Sequence, residues 1–419
     1  MIQAVTAYST LILAGRILGA TRFAGLGALY VLINTVATGL FQPLEQEVAR
    51  RRGRERTTGQ VDRSLLRRAL VFGMCLCLVV LAVALALHGP TVRLLGGEPQ
   101  LLAAFGLALP GYVLCFVVRG ELSGARRMGR YGLQLSVEST FRLLALGLLF
   151  VIGVRSVTAY GWLFGAAPWL AAAGSTIGLR WPLATGDRPD APRTHLAGPL
   201  ALLLVSTLAA QLLIGAGPIT AQIFSGAAEA AAAGAFLAAL VMVRLPVFLF
   251  TAVQPSMLPT MSAHVAAGRR AAFRSVLWRV MRVMGLIAAA TFVITTALGP
   301  PGLKVLFGPD YVLSRSAFAL MAVSVALYMT AGVLGQAVLA LGHHRLVTAG
   351  WLTGLIGLAL GMAVASNMIG RAILGLLVGA AASAVTFALL LWRLMREKPR
   401  SAPEGNEVVA GRAAPRPVS

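Results

Sequence analysis

Twelve apolar stretches, each close to twenty residues long, follow one another along this chain with short connections between them. An α-helix needs about 20 residues to cross a hydrocarbon core of about 30 Å, and only helices or closed barrels satisfy every backbone polar group there. The stretches lie near residues 2–18, 26–44, 69–88, 101–118, 133–153, 157–179, 197–217, 231–251, 280–298, 316–341, 347–365 and 372–392. Charged residues make up only 12% of the chain, against about 25% for a soluble domain. A soluble enzyme, a disordered chain and a nucleic-acid binder are thereby excluded, in spite of a formal net charge of +22. The predicted fold class is an all-α polytopic membrane protein with about twelve transmembrane helices.

The positive charge is a topology signal. With the N-terminus placed in the cytoplasm, 27 of the 36 Lys and Arg fall in inside connections or the C-terminal tail, seven outside, and two within spans. Basic residues flanking short loops stay on the cytoplasmic side, so both termini are expected inside, in a plasma (inner) membrane. Anionic lipid headgroups are the natural neighbours of these arginines. No basic segment precedes the first apolar run, so no cleavable leader is expected. Three cysteines, Cys75, Cys77 and Cys115, all in apolar stretches, give no disulfide framework. The five histidines show no metal-ligand spacing and no nucleotide-binding motif occurs; no metal, cofactor or catalytic residue is expected.

The two halves resemble each other. Phe41-Gln42-Pro43 closes the second span and Val253-Gln254-Pro255 the eighth, 212 positions on; Leu94-Leu95-Gly96 recurs as Leu306-Phe307-Gly308 at the same offset. An even number of spans per half makes the repeat parallel, about an axis along the membrane normal. The expected organisation is a six-helix lobe at 1–179, a cytoplasmic linker at 180–196, a second six-helix lobe at 197–396 and a disordered cytoplasmic tail at 397–419.

Ala14-Gly15-Arg16-Ile17-Leu18-Gly19 followed by Phe23-Ala24-Gly25-Leu26-Gly27, and Arg244-Leu245-Pro246-Val247-Phe248-Leu249-Phe250 with Gln254 and Leu258-Pro259, carry a further likeness. In these segments and in layout from residue 2 to about 392, the chain resembles polysaccharide flippases of the multidrug/oligosaccharidyl-lipid/polysaccharide exporter superfamily. The resemblance implies two six-helix lobes around a V-shaped central cavity and alternating access between the two sides. It also implies a cargo of lipid-linked saccharide, lipid-linked peptidoglycan precursor, or drug exchanged for cations.

Ionisable residues within spans are costly and mark function by default. Glu138 stands four residues before Arg142, the favoured order for an i, i+4 pair. Two readings stay open: mutual neutralisation in the bilayer, or a cavity-facing Arg142 tuned by Glu138. Arg244 has no acidic residue three or four positions away. Pro246 cannot donate to the carbonyl of Met242, so Arg244 either serves that broken backbone or offers its five-donor fork to a diphosphate. Arg16 either snorkels to the outer surface or faces the cavity, and Asn34 serves as a packing bond or a ligand contact.

The leading functional expectation is a flippase carrying a lipid-linked saccharide or polysaccharide precursor from the cytoplasmic to the outer leaflet, for the cell envelope. Glycosyltransferases or a polymerase of the same pathway are its expected companions. The alternative is a cation-coupled drug or small-solute antiporter of the same fold, which the scarcity of intramembrane carboxylates disfavours. A membrane-embedded polysaccharide polymerase or glycosyltransferase ranks third, since the outer connections are short and hold only Glu98, Glu229 and Asp310.

Overall fold

A computed structural model describes residues 2–58, 62, 64–176, 197–225 and 229–396. The expected linker at 180–196 and the tail at 397–419 lie outside the described residues. Among the described residues fourteen α-helices follow in order: α1 (Ile2–Val36), α2 (Gln42–Thr58), α3 (Leu65–Ala86), α4 (His88–Leu94), α5 (Pro99–Gly124), α6 (Met128–Val151) and α7 (Val157–Thr176), then α8 (Ala197–Phe224), α9 (Ala230–Val243), α10 (Leu245–Ala266), α11 (Arg270–Phe307), α12 (Arg315–Ala340), α13 (His344–Val364) and α14 (Met368–Arg396). A π-helical turn, Ala37–Phe41, joins α1 to α2. Among the described residues no strand occurs.

Length and hydropathy qualify nine helical runs as membrane spans among the described residues, the first of them unbroken from Val5 to Gly53. That run crosses twice. Gly19 has φ 72° and ψ 167°, outside the helical region, a conformation glycine reaches without the Cβ clash other residues meet. Residues equidistant from Gly19 then meet. Tyr8 and Tyr30 line one cavity, and Gly15 and Phe23 both touch the Phe307–Tyr311 pair. A straight helix would hold Tyr8 and Tyr30 about 33 Å apart at 1.5 Å per residue. Residues 2–18 and 20–36 therefore form an antiparallel helical hairpin. Counting this hairpin as two, and adding α7 and the broken pair α9–α10, gives the twelve expected passes.

Several boundaries differ from the sequence expectation for one reason: helices run on past the hydrophobic core. The basic stretch after Glu45, expected as a connection, is helical to Thr58. Arg270, Arg274, Arg279 and Arg282 begin α11, a 38-residue helix that also absorbs Gly299-Pro300. Arg119, expected in an inside loop, lies buried within α5. The repeat is visible in the backbone, since Gly96 and Gly308 both take positive φ, 75° and 126°.

The helices of residues 2–176 pack chiefly on one another, as do those of 197–396, and the two halves meet where α1 and its π-turn face α8 and α9. Close approach there rests on missing side chains. A Cβ on Gly234 of α9 would stand 2.0 Å from the carbonyl oxygen of Ala20, and one on Gly27 would strike the side chain of Leu237. At the hairpin end, the Tyr311 hydroxyl donates to the Gly15 carbonyl at 2.7 Å, and Phe23 lies against both Phe307 and Tyr311. α9 thus seals against the first hairpin while also packing on α11 and α12, on which α10 packs in turn.

Candidate functional site

The seam between the halves holds a cavity of about 240 Å³, walled by both arms of the hairpin, the π-turn, α8, α9 and the start of α10. Its polar lining consists of Tyr8, Tyr30, Asn34, Thr35, Thr38, Gln211 and Arg244. Among the described lining residues Arg244 alone is charged, and none is acidic.

Each wall has a local cause in the sequence. Pro43 has no N–H to give the carbonyl of Gly39 four residues back, and the chain widens into the π-turn at this point. That carbonyl finds its partner in the other half: the Thr207 hydroxyl of α8 lies 2.7 Å from it, and equally near the Leu203 carbonyl of its own helix. Thr38 is carried by the same turn into the cavity wall. On the opposite side, Pro246 breaks the eighth pass. α9 ends and α10 begins at Arg244, whose N–H bonds the Leu240 carbonyl at 3.0 Å. The break puts the arginine at the corner between the two helices.

Arg244 has two buried donors, Nε and Nη2, with no hydrogen-bond partner. Buried polar groups are almost always satisfied, so two unmet buried donors on one guanidinium are a feature to be explained. Both belong to the same edge of the planar group, the edge that presents two parallel N–H bonds to a carboxylate or phosphate. A small recess that shares Ile214, Leu240 and Arg244 with the main cavity is lined also by Ser324 and Tyr328.

The other expected site residues are dispersed. Asn34 is in the cavity wall, but its side-chain amide donates to the Tyr30 carbonyl at 2.7 Å. Arg16 is exposed at the hairpin end, with Nη1 3.4 Å from the Val305 carbonyl, and does not line the cavity. Arg142 does not line it either. It is held with Glu138 in a larger network than an i, i+4 pair. Glu138 accepts from Arg142 at 2.8 Å, from Arg119 of α5 at 2.9 Å and from the Tyr112 hydroxyl at 2.6 Å. Arg142 also donates to the Tyr112 oxygen. Glu45, bonded by Tyr131 at 2.9 Å, lies in the field of Arg119, so two arginines face two carboxylates. The Arg142 guanidinium covers the Phe164 ring at 5.2 Å, and Tyr30 of the cavity wall packs edge-on against the same ring at 5.8 Å.

Tyr8, Tyr30, Gln211 and Thr38 were not singled out from the sequence. Tyr8 and Tyr30 carry a signal in retrospect, since they are placed symmetrically about Gly19. Gln211 and Thr38 carry none.

These features define an all-helical, polytopic membrane protein whose two repeated halves enclose a cavity, and its fold is that of transporters of the MOP superfamily. The chain superposes on the inward-facing conformation of a multidrug resistance MATE family transporter of the MOP superfamily with a TM-score of 0.72, at 14% identity, covering 94% of each chain. The outward-facing conformation of such a transporter gives 0.64 at 15% identity, with 94% of this chain and 93% of that one covered. A MOP superfamily transporter from Pyrococcus furiosus, whose structure is described as having reverse polarity of the binding pocket, gives 0.62 at 15% identity, covering 94% and 95%. In sequence, the chain is 26% identical over 400 residues to "Uncharacterized protein Rv3630" of Mycobacterium tuberculosis, covering 90% of this chain and 86% of that one. It is likewise 26% identical over 356 residues to "Uncharacterized protein Rv1510" of the same species, covering 82% and 78%. No family model matches the chain.

Proposed function

We propose that the protein is a transporter working by alternating access, and that it carries a lipid-linked saccharide whose phosphate is met by Arg244. The observation that carries this reading is the unpartnered fork of Arg244, buried at the edge of a cavity that both halves build. An arginine at membrane depth costs at least about 2.5 kcal/mol by insertion scales. Leaving its donors unmet adds to that cost in the resting state, and an anionic headgroup would relieve both. A cation-coupled drug antiporter needs carboxylates in its cavity to bind and release the ion. Among the described lining residues there are none, which supports the anion-carrying reading over that alternative.

The orientation follows the same logic. α9 is sealed on the hairpin at one end of the bundle while α10 stands apart from it at the other, and agreement is better with an inward-facing transporter than with an outward-facing one. Placing the hairpin end outside agrees with the basic asymmetry and puts both termini in the cytoplasm. The arginine-rich inner ends of α2 and α11 would then lie among anionic headgroups of the plasma membrane.

The test is export of lipid-linked saccharide in cells, measured beside melting of the purified protein. Arg244→Lys keeps the charge but not the planar fork, and is expected to lose most transport. Arg244→Ala should abolish transport while melting unchanged or higher. Normal export by both variants would remove the headgroup from Arg244, and unfolding of both would make the residue structural.

A further inference from the structure

Resting on that reading, we infer that the headgroup is a single phosphodiester: the cargo is a lipid monophosphoryl sugar carrying one negative charge, not a lipid diphosphoryl oligosaccharide.

Charge counting comes first. A phosphodiester has one ionised oxygen at neutral pH and a diphosphate diester has two. Among the described lining residues Arg244 supplies one positive charge and nothing supplies a second. The stretch 248–259, which continues α10, contains no ionisable residue. Arg142 and Arg119 do not line the cavity; both bond Glu138 within the first half, and Arg119 also lies in the field of Glu45. Arg16 is at the surface, on the Val305 carbonyl. A second phosphate in this cavity would therefore bury a charge with no counter-ion, a state proteins avoid.

Geometry gives the same answer. The unmet donors of Arg244 are Nε and Nη2, one parallel pair. Such a pair matches the two unbridged oxygens of one phosphate. A second phosphate would need further N–H donors directed at it, and the remaining polar lining is chiefly tyrosine, threonine and amide side chains. Tyr8, Tyr30, Asn34 and Gln211 instead offer aromatic edges and amide groups, the chemistry that receives a hydroxyl-bearing ring.

The experiment uses the full chain in phosphatidylcholine nanodiscs and two probes of equal polyprenyl length, polyprenyl monophosphoryl-glucose and polyprenyl diphosphoryl-glucose. Binding is measured directly, for wild type, Arg244→Gln and Gln211→Arg. The monophosphoryl lipid should bind at least tenfold more tightly to wild type, and Arg244→Gln should remove that binding. Gln211→Arg places a second cation in the wall and should move the preference toward the diphosphoryl lipid by tenfold or more. Tighter binding of the diphosphoryl lipid to wild type, still lost in Arg244→Gln, overturns the single-charge inference and leaves the proposed function standing. Binding of neither lipid, or binding indifferent to Arg244, sinks the proposed function itself.

Discussion

Replacing Glu138 by Gln tests whether the buried network of the first half is held by charge balance or by one local pair. Glu138 is 5% exposed, and its partners Arg119 and Arg142 are 8% and 9% exposed. Glu138→Gln keeps the shape but leaves two guanidinium groups against Glu45 alone, an excess of one buried positive charge. Breaking a buried pair by removing one partner costs about 3–5 kcal/mol, and that is the loss of stability expected. The rescue is the informative arm. Glu138→Gln with Arg142→Gln and Glu138→Gln with Arg119→Gln are both neutral, so each should be more stable than Glu138→Gln alone, recovering about half the loss or more. Contacting residues couple by about 0.5–3 kcal/mol in such cycles, well above the error of a melting curve. Melting of the purified protein in detergent, followed by the fluorescence of its six tryptophans, is the assay. Rescue by Arg142→Gln but not by Arg119→Gln would mean that the i, i+4 pair alone matters. Wild-type melting of Glu138→Gln would refute the charge-balance argument altogether.

Three further outcomes are expected. Tyr311→Phe removes the hydroxyl that bonds the Gly15 carbonyl across the two halves; the loss of about 1 kcal/mol should shift the sealed state roughly fivefold toward opening, read as a longer distance between spin labels at the exposed Arg22 and Val312. Unchanged distances would show that the aromatic contacts suffice. Thr207→Val deprives the Gly39 carbonyl of its partner, and should destabilise by about 1–3 kcal/mol in the same melting assay; no change would mean that the hydroxyl serves its own helix. Single cysteines at Gly59 and Ala402 should resist an impermeant thiol reagent in intact cells while one at Gly97 reacts, and labelling at either of the first two would invert the topology.

The number and order of the passes were legible in the sequence because each is set by local hydrophobic length alone. Arg244 was legible for a similar reason: a charge in a span with no partner on its own helix stands out, and Pro246 beside it marks the break. What the sequence concealed is what the third dimension assembles. Glu138 and Arg142 announced themselves at i, i+4, but Arg119 reaches the same carboxylate from a neighbouring helix, and its place near the end of an apolar run read as a loop. The cavity wall was hidden for the same reason. Tyr8 and Tyr30 become neighbours only because Gly19 reverses the chain, and Gln211 joins them from the other half. Among the three arginine candidates, packing adds that Arg16 lies exposed at the hairpin end and that Arg142 is held in a network off the cavity, whereas Arg244 lines it.

The eighth pass bridges two bodies: α9 packs on the first hairpin as well as on its own half, and α10 on its own half. If the halves rock apart, that helix has to flex, and it is weakest where Pro246 has removed a rung of the ladder. Opening would then load curvature into one rod, while at Gly234 and Ala20 the seal to be parted is backbone laid upon backbone. Arg244 sits at the fulcrum of that rod. Whatever it holds would feel the bend directly, so the occupancy of the arginine and the angle of the lever become one mechanical variable.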